Sequence, residues 1–280
     1  MKKLSLLALS FVFLANISIS QVNTPKASPL AKVSQSVGLT QIDYEYSRPS
    51  VNGREIFGTL IPFGKVWRTG ANAATKITFS TDVTIVGKKL NKGTYALYVK
   101  PNKDNWEIIF YSEFGSWGLP PVWDSTKVAV SSIVNVVNEL KSTETFTISL
   151  NDLKYESVNL KFEWAKTSAS LNIHLPTVDM ALKSIDKTMS GPSESDYLSA
   201  ATFYLEQNIK LDTALDYVKK AIALKGEDVY WMLRRQALIE QKLGDKKSAL
   251  VSANRALIAA QKSGNAEAVQ MTTELVNELK

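Results

Sequence analysis

Val158-Asn159-Leu160-Lys161-Phe162-Glu163-Trp164 alternates a large apolar side chain with a polar one at every step. Successive side chains of an extended chain point to opposite faces, so the stretch reads as a strand with one face on a core and one in water. The same beat recurs along the first part of the chain. Ile42, Tyr44 and Tyr46 share one face of residues 37–46, opposite Asp43 and Glu45. Tyr95, Leu97 and Val99 repeat it, as do Trp106, Ile108 and Phe110, then Phe146, Ile148 and Leu150, and finally Leu171, Ile173 and Leu175. Residues 76–79 and 83–86 are shorter candidates around a turn at Thr81-Asp82. Residues 127–140, with Val128, Val130, Val134 and Val137, suit a strand or a short helix, and the strand is preferred. Residues 21–36 read as a polar, proline-containing leading segment, and Gly87 to Gly93 as a tight connection. Strands without intervening helices bury their apolar faces most simply against each other. That predicts an antiparallel β-sandwich, or a partly open barrel, over residues 21–175.

Past Pro176 the period changes, so the fold class is mainly β plus α. Residues 176–192 read as a linker that includes a short helix near 177–189. Ser193 with Asp196 three residues on has the spacing of a helix N-cap. Helices are expected over 197–208, 211–224, 229–243, 247–261 and 266–279, with Gly226, Gly244 and Gly264 as breaks. Ala214-Leu215 and Ala221 return as Ala249-Leu250 and Ala256, and Leu243-Gly244-Asp245 makes a short turn. This spacing resembles degenerate tetratricopeptide repeats. It predicts an antiparallel helical-repeat domain over 193–280, whose small alanines let helices approach closely.

At the N-terminus Lys2 and Lys3 precede an apolar run from Leu4 to Ile17, and Ser18 and Ser20 supply small residues before a cleavage after Ser20. That is the pattern of a signal peptide over residues 1–20, and it predicts a periplasmic or secreted protein. The apolar run is about 14 residues, short of the roughly 20 that span a bilayer, so no transmembrane span is expected. The formal charge is +6, and two of those lysines leave with the leader. The remaining lysines are scattered, whereas a nucleic-acid surface needs a concentrated basic stripe, so nucleic acid is not an expected partner. Cysteine is absent, which removes disulfides, thiolate metal sites and cysteine nucleophiles.

The densest stretch is 47–75, which carries Arg48, Arg54, Lys65 and Arg68 with Trp67 and Asn72 among glycines and prolines. Connections this long in a compact domain are usually functional or disordered, and its apolar content argues against disorder. Two readings stand. In one, Arg48, Arg54 and Arg68 converge on a carboxylate, phosphate or sugar acid, because guanidinium forks suit planar oxyanions. Trp67 then adds an apolar platform and Asn72 a paired donor and acceptor. In the other, the arginines bond loop carbonyls and the sheet carboxylates Asp43 and Glu45, while Trp67 and Phe57 plug the end of the sandwich. Trp117 and Trp123, in a glycine- and proline-rich loop, are further ligand-binding candidates, whereas Trp106 belongs to the core.

Tyr46-Ser47-Arg48-Pro49, Gly53-Arg54, Ile56-Phe57-Gly58 and Val66-Trp67-Arg68-Thr69-Gly70-Ala71-Asn72 resemble an uncharacterised bacterial family, domain of unknown function 2911. Phe79-Ser80-Thr81-Asp82-Val83, Gly93-Thr94-Tyr95 and Trp117-Gly118 extend the likeness, which covers roughly residues 26–165. The resemblance implies an exported protein of Bacteroidetes-like bacteria, often with helical repeats behind the β-domain, and implies no activity. It also implies a Glu after the Asn, where this chain has Ala73.

Familiar catalytic patterns are missing. His174 is the only histidine and points away from Ile173 and Leu175. It cannot build a common zinc site without carboxylates, and no nucleophile-elbow motif precedes it. No phosphate-binding loop or dinucleotide fingerprint occurs, so no cofactor or metal is expected and no catalytic residue is assigned. The reading that results is a noncatalytic exported binding protein whose β-domain takes a small anionic or glycan ligand. The alternatives are a scaffold that binds a protein partner through its helical repeats, and a hydrolase with a carboxylate-based site.

Overall fold

The computed structural model describes residues 24–189 and 191–280; the leader expected at 1–20 lies outside them. The chain forms two compact units that meet in sequence between Leu175 and Pro176.

The first unit is one antiparallel sheet of nine strands: β1 (Leu30–Val37), β2 (Thr40–Ser47), β3 (Ala71–Phe79), β4 (Val83–Ile85), β5 (Lys88–Leu90), β6 (Gly93–Pro101), β7 (Asn105–Tyr111), β8 (Val128–Asn151) and β9 (Ser157–His174). Their order is β1-β2-β3-β6-β7-β8-β9-β4-β5, and the sheet does not close. Its two halves share β8, which pairs with β7 through Asn135 and with β9 from Val136 onward. The alternation read from the sequence sets the inner face. Ile42, Tyr44, Ile77, Leu97, Val99, Trp106 and Phe110 from one half join Phe146, Ile148, Leu160, Phe162, Trp164 and Ile173 from the other in one buried cluster. Two tyrosines stitch the halves: Tyr44 Oη donates to the Ile148 carbonyl (3.1 Å), and the Ile148 amide donates to Tyr46 Oη (3.0 Å). His174 is exposed, between buried Ile173 and Leu175.

Several boundaries differ from the sequence expectation. Residues 30–37 are strand rather than leading segment. They form an edge hairpin with β2, turned at Gly38-Leu39 with Gly38 at φ 56°. An edge strand with Ser34, Gln35 and Ser36 at its exposed positions shows little alternation, which is why the pattern was weak there. β3 begins at Ala71, not 76, and β5 occupies part of the connection expected at 87–93. The segment 127–140 is strand from Val128 onward, and it runs on without a break into 146–150. Residues 158–164 and 171–174 are likewise one strand. Register shifts between Asn138 and Thr147 interrupt the β8–β9 pairing, so the alternation lapses although the strand continues.

Val86 and Gly87 form the two-residue β4–β5 turn, both at positive φ (47° and 75°). Such a turn favours Asn-Gly, whereas a β-branched side chain at positive φ is strained. Val86 is 72% exposed, so it gains little burial in return. Val86→Asn is expected to stabilise the unit by about 1 kcal/mol and raise its melting temperature by about 2–4 °C. A melt at or below that of the parent would refute this.

Burial pushes the Tyr44 hydroxyl up to about 12, with Tyr46 adding to the rise and Arg48 opposing it. A raised folded-state value favours the protonated form. The stabilisation is therefore complete below the ordinary tyrosine value near 10 and is lost as pH climbs from there to about 12. Burial also raises Tyr95, Tyr98 and Tyr204, so phenolate absorbance should show a late-titrating group of tyrosines that loses one member in Tyr44→Phe, and stability should fall over the same window.

The second unit holds α1 (Thr177–Thr188), α2 (Glu194–Gln207), α3 (Leu211–Lys225), α4 (Tyr230–Lys242), α5 (Lys246–Ser263) and α6 (Ala266–Leu279). α1 fills most of the segment read as a linker. Ser193 and Asp196 close a reciprocal capping box at α2. Ala214, Ala221, Ala249 and Ala256 are fully buried, as close helix approach requires. Among the described residues, no helix is long and apolar enough to cross a membrane.

Candidate functional site

The loop of residues 48–70 folds across one end of the sheet. The Val51 amide donates to the Glu144 carbonyl (2.8 Å), and the Phe146 amide to the Pro49 carbonyl (2.9 Å), which ties the loop's start to β8. Its end is tied to β6, where Trp67 and Val99 exchange both backbone hydrogen bonds (2.7 and 3.0 Å). Between these anchors Ile56 and Phe57 turn inward. Phe57 packs on Trp67, Trp106 and Trp164, and Trp67 stacks on Trp164 with centroids 5.8 Å apart.

The chain then enters β3 through an unusual backbone. Thr69, Gly70 and Asn72 all have positive φ, at 55°, 150° and 59°. Gly70 is required, because a Cβ there would lie 2.8 Å from the Ser47 carbonyl oxygen. Thr69 is the costly member, since a β-branched residue rarely adopts this conformation. It is fully buried, and its carbonyl accepts from Thr75 Oγ1. Strain of this kind persists only where the surroundings enforce it, and it clusters at functional sites.

The loop and the start of β3 enclose a cavity of about 430 Å³, lined by Ser50, Asn52, Arg54, Trp67, Arg68 and Asn72 with Leu60, Ile61 and Trp164. The sequence candidates divide around it. Arg54, Trp67, Arg68 and Asn72 line it; Arg48 does not. Arg48 lies against β8, donating from Nε to the Phe146 carbonyl (3.0 Å) and from Nη2 to Thr147 Oγ1 (2.8 Å). The arginines do not reach the sheet carboxylates: Glu45 pairs with Lys32 and Lys76, and Asp43 accepts from Ser34 and Gln41. Those two lysines hold the Glu45 carboxyl below its ordinary range, the Lys32 contact contributing most.

Trp67 is only 6% exposed and its Nε1 donates to the Gly70 carbonyl (3.0 Å), so it forms a wall rather than an open platform. Arg54 donates from Nε to the Val51 carbonyl and from Nη2 to the Ser50 carbonyl, leaving Nη1 uncommitted among the described residues. Arg68 donates from Nη1 to the Asn72 carbonyl (2.8 Å), which leaves Nε and Nη2 uncommitted among the described residues. Among the described residues, no Asp or Glu lines the cavity. Glu144, close by in sequence terms to the β8 anchor, is occupied by the Asn52 amide (2.9 Å).

The two loop tryptophans part company. Trp123 packs on Tyr111 and Tyr98 over the outer face of β6 and β7, with centroids at 4.8 and 5.4 Å. Trp117 is 76% exposed. Sequence reasoning missed Leu119 and Gly118 of the same loop. Leu119 lines a second hollow that also contains Arg68, and a Cβ at Gly118 would lie 3.0 Å from Arg68 Nη1. The Trp117-Gly118 pair was visible as a motif, but nothing in the chain placed it beside Arg68. Among the described residues, no group of three or more His, Cys, Asp or Glu is placed to hold a metal ion.

On the second unit, a hollow of about 390 Å³ is lined by Leu198, Thr202, Phe203, Trp231 and Arg235 from α2 and α4.

No curated protein and no solved structure matches the chain. A family model does, over residues 28–173, which takes in every strand from β1 to the end of β9 save its last residue, and the whole cavity-forming loop. That span exceeds half of the chain, and the protein therefore belongs to the family described as protein of unknown function, DUF2911.

Proposed function

We infer that the β-unit is an exported, noncatalytic binding module for a small anion, such as a sugar acid or phosphate, taken up in the Arg54–Arg68 cavity. One observation carries this reading: two guanidinium groups with uncommitted donors line a cavity that, among the described residues, has no carboxylate in its wall. A fixed fork of N–H donors suits planar oxyanions. The strained Thr69–Asn72 turn supports it, because it holds Arg68 and Asn72 together at a conformational cost. Export rests on the Lys2–Ser20 leader pattern alone. A carboxylate-pair hydrolase would have to draw its acid and base from outside this wall.

Thermal shift and titration calorimetry with sugar acids, peptidoglycan fragments and inorganic phosphate test the reading. Arg68→Gln is expected to weaken the best of these about tenfold or more, the usual effect of deleting a charge-assisted hydrogen bond. If Arg54→Gln/Arg68→Gln binds every anion as the parent does, the proposal fails.

A second reading, a protein contact on the helical unit, draws on exposed Trp231 beside Arg235 in the α2–α4 hollow. Both residue types anchor protein interfaces. A photoreactive residue at position 231 that crosslinks one discrete partner in cells would support it; the absence of any such adduct would remove it.

A further inference from the structure

Arg68 lines more than this cavity. A second hollow of about 200 Å³ adjoins it, and the two share Leu60, Ile61, Trp67 and Arg68. Their remaining walls differ in kind. The first adds Ser28, Ser50, Asn52, Arg54 and Asn72. The second adds Pro62, Val66 and Leu119, with Lys65 on its rim. Leu60 and Leu119 are 41% and 45% exposed, so two large apolar side chains of a hollow that Arg68 also lines face water. Gly118, at φ 90°, lets the 112–124 loop press onto Arg68, and this sets Leu119 next to the charged group.

A hydrophilic anion would use the first hollow and leave the second, with its exposed leucines, unfilled. Resting on the anion-binding reading above, the geometry points to a single-chain amphiphilic anion as the ligand. Its carboxylate is held by Arg54 and Arg68, and its alkyl chain lies over Pro62 and Val66 between Leu60 and Leu119. Polar and apolar contacts then contribute separately: the head sets a base affinity through charge-assisted hydrogen bonds, and the tail adds to it with each methylene removed from water.

The test is calorimetric titration of the purified protein with straight-chain carboxylates from butanoate to dodecanoate, each below its micellar concentration. Dodecanol, glucuronate and phosphatidylglycerol vesicles are run alongside. Affinity is expected to rise about fourfold per methylene until the chain outruns the hollow. Leu119→Ser should flatten that slope, Arg68→Gln should weaken every acid by a similar factor, and dodecanol should bind far more weakly than dodecanoate. Melting curves establish that both variants fold. If butanoate and glucuronate bind as tightly as dodecanoate, the amphiphile inference falls while anion binding stands. If no acid binds, both fall. Dodecanol binding equal to dodecanoate, or binding to vesicles alone, also overturns the inference.

Discussion

Gly70→Ala is expected to lower the melting temperature of the β-unit by about 10 °C. Two costs add at this position. A methyl group there would stand 2.8 Å from the Ser47 carbonyl oxygen and 3.3 Å from Thr75 Oγ1, and a backbone φ of 150° is one that alanine avoids. The oxygen cannot retreat cheaply, because Ser47 pairs with Ala71 at the point where β2 and β3 join. Overpacking and backbone strain together come to about 3 kcal/mol or more, and each kcal/mol is worth about 2–4 °C in a unit of this size. Gly115→Ala serves as the control: no neighbouring atom lies within 4 Å of its Cβ, so its melt should match the parent to within about 0.5 kcal/mol. The same substitution at Gly70 should also abolish anion binding, since it displaces Arg68 and Asn72. A Gly70→Ala protein that melts with the parent would refute the close crossing of these strands.

Trp67→Ala is expected to cost about 4 kcal/mol, the usual range for emptying a buried aromatic site. Its ring touches Phe57, Phe146 and Trp164, and no neighbour is free to collapse into the space because each is held by its own strand or loop anchor. A sharper contrast separates packing from hydrogen bonding. Trp67 Nε1 donates to the Gly70 carbonyl, whereas Trp164 Nε1 is buried without a partner. Trp67→Phe therefore loses volume and leaves a buried carbonyl unpaired. Trp164→Phe loses similar volume but also removes an unsatisfied donor, whose burial costs about 1–3 kcal/mol. Denaturant melts should rank Trp164→Phe well above Trp67→Phe in stability. Equal losses would mean that the Trp67–Gly70 bond contributes nothing.

The fold was legible wherever side chains alternate on one face. Val158–Trp164, Tyr95–Val99 and Trp106–Phe110 announce the core directly, and the helical unit announces itself through Ala214, Ala221, Ala249 and Ala256. β1 was not legible, because an edge strand with serines and a glutamine outside has no strong beat. The continuity of β8 was hidden by the irregular pairing around residues 138–147. Residue type and loop length singled out Arg54, Trp67, Arg68 and Asn72, which the structure brings together around one cavity. Arg48 looks identical to them in sequence, yet its position two residues before Ser50 sends it to the Phe146 carbonyl and the Thr147 hydroxyl of β8. Leu119 was invisible, since only the tertiary path of the 112–124 loop brings it to Arg68.

Because β8 is common to both halves of the sheet, neither half can peel away without stripping partners from the other. Amide protons on β2, β3 and β6 should then exchange at the same free energy as those on β9, in one global opening rather than two. A backbone nick beside Leu140, the fully exposed residue at the irregular stretch, would cut the strand the two halves share and leave the buried cluster and the tyrosine bonds to Ile148 to hold them together.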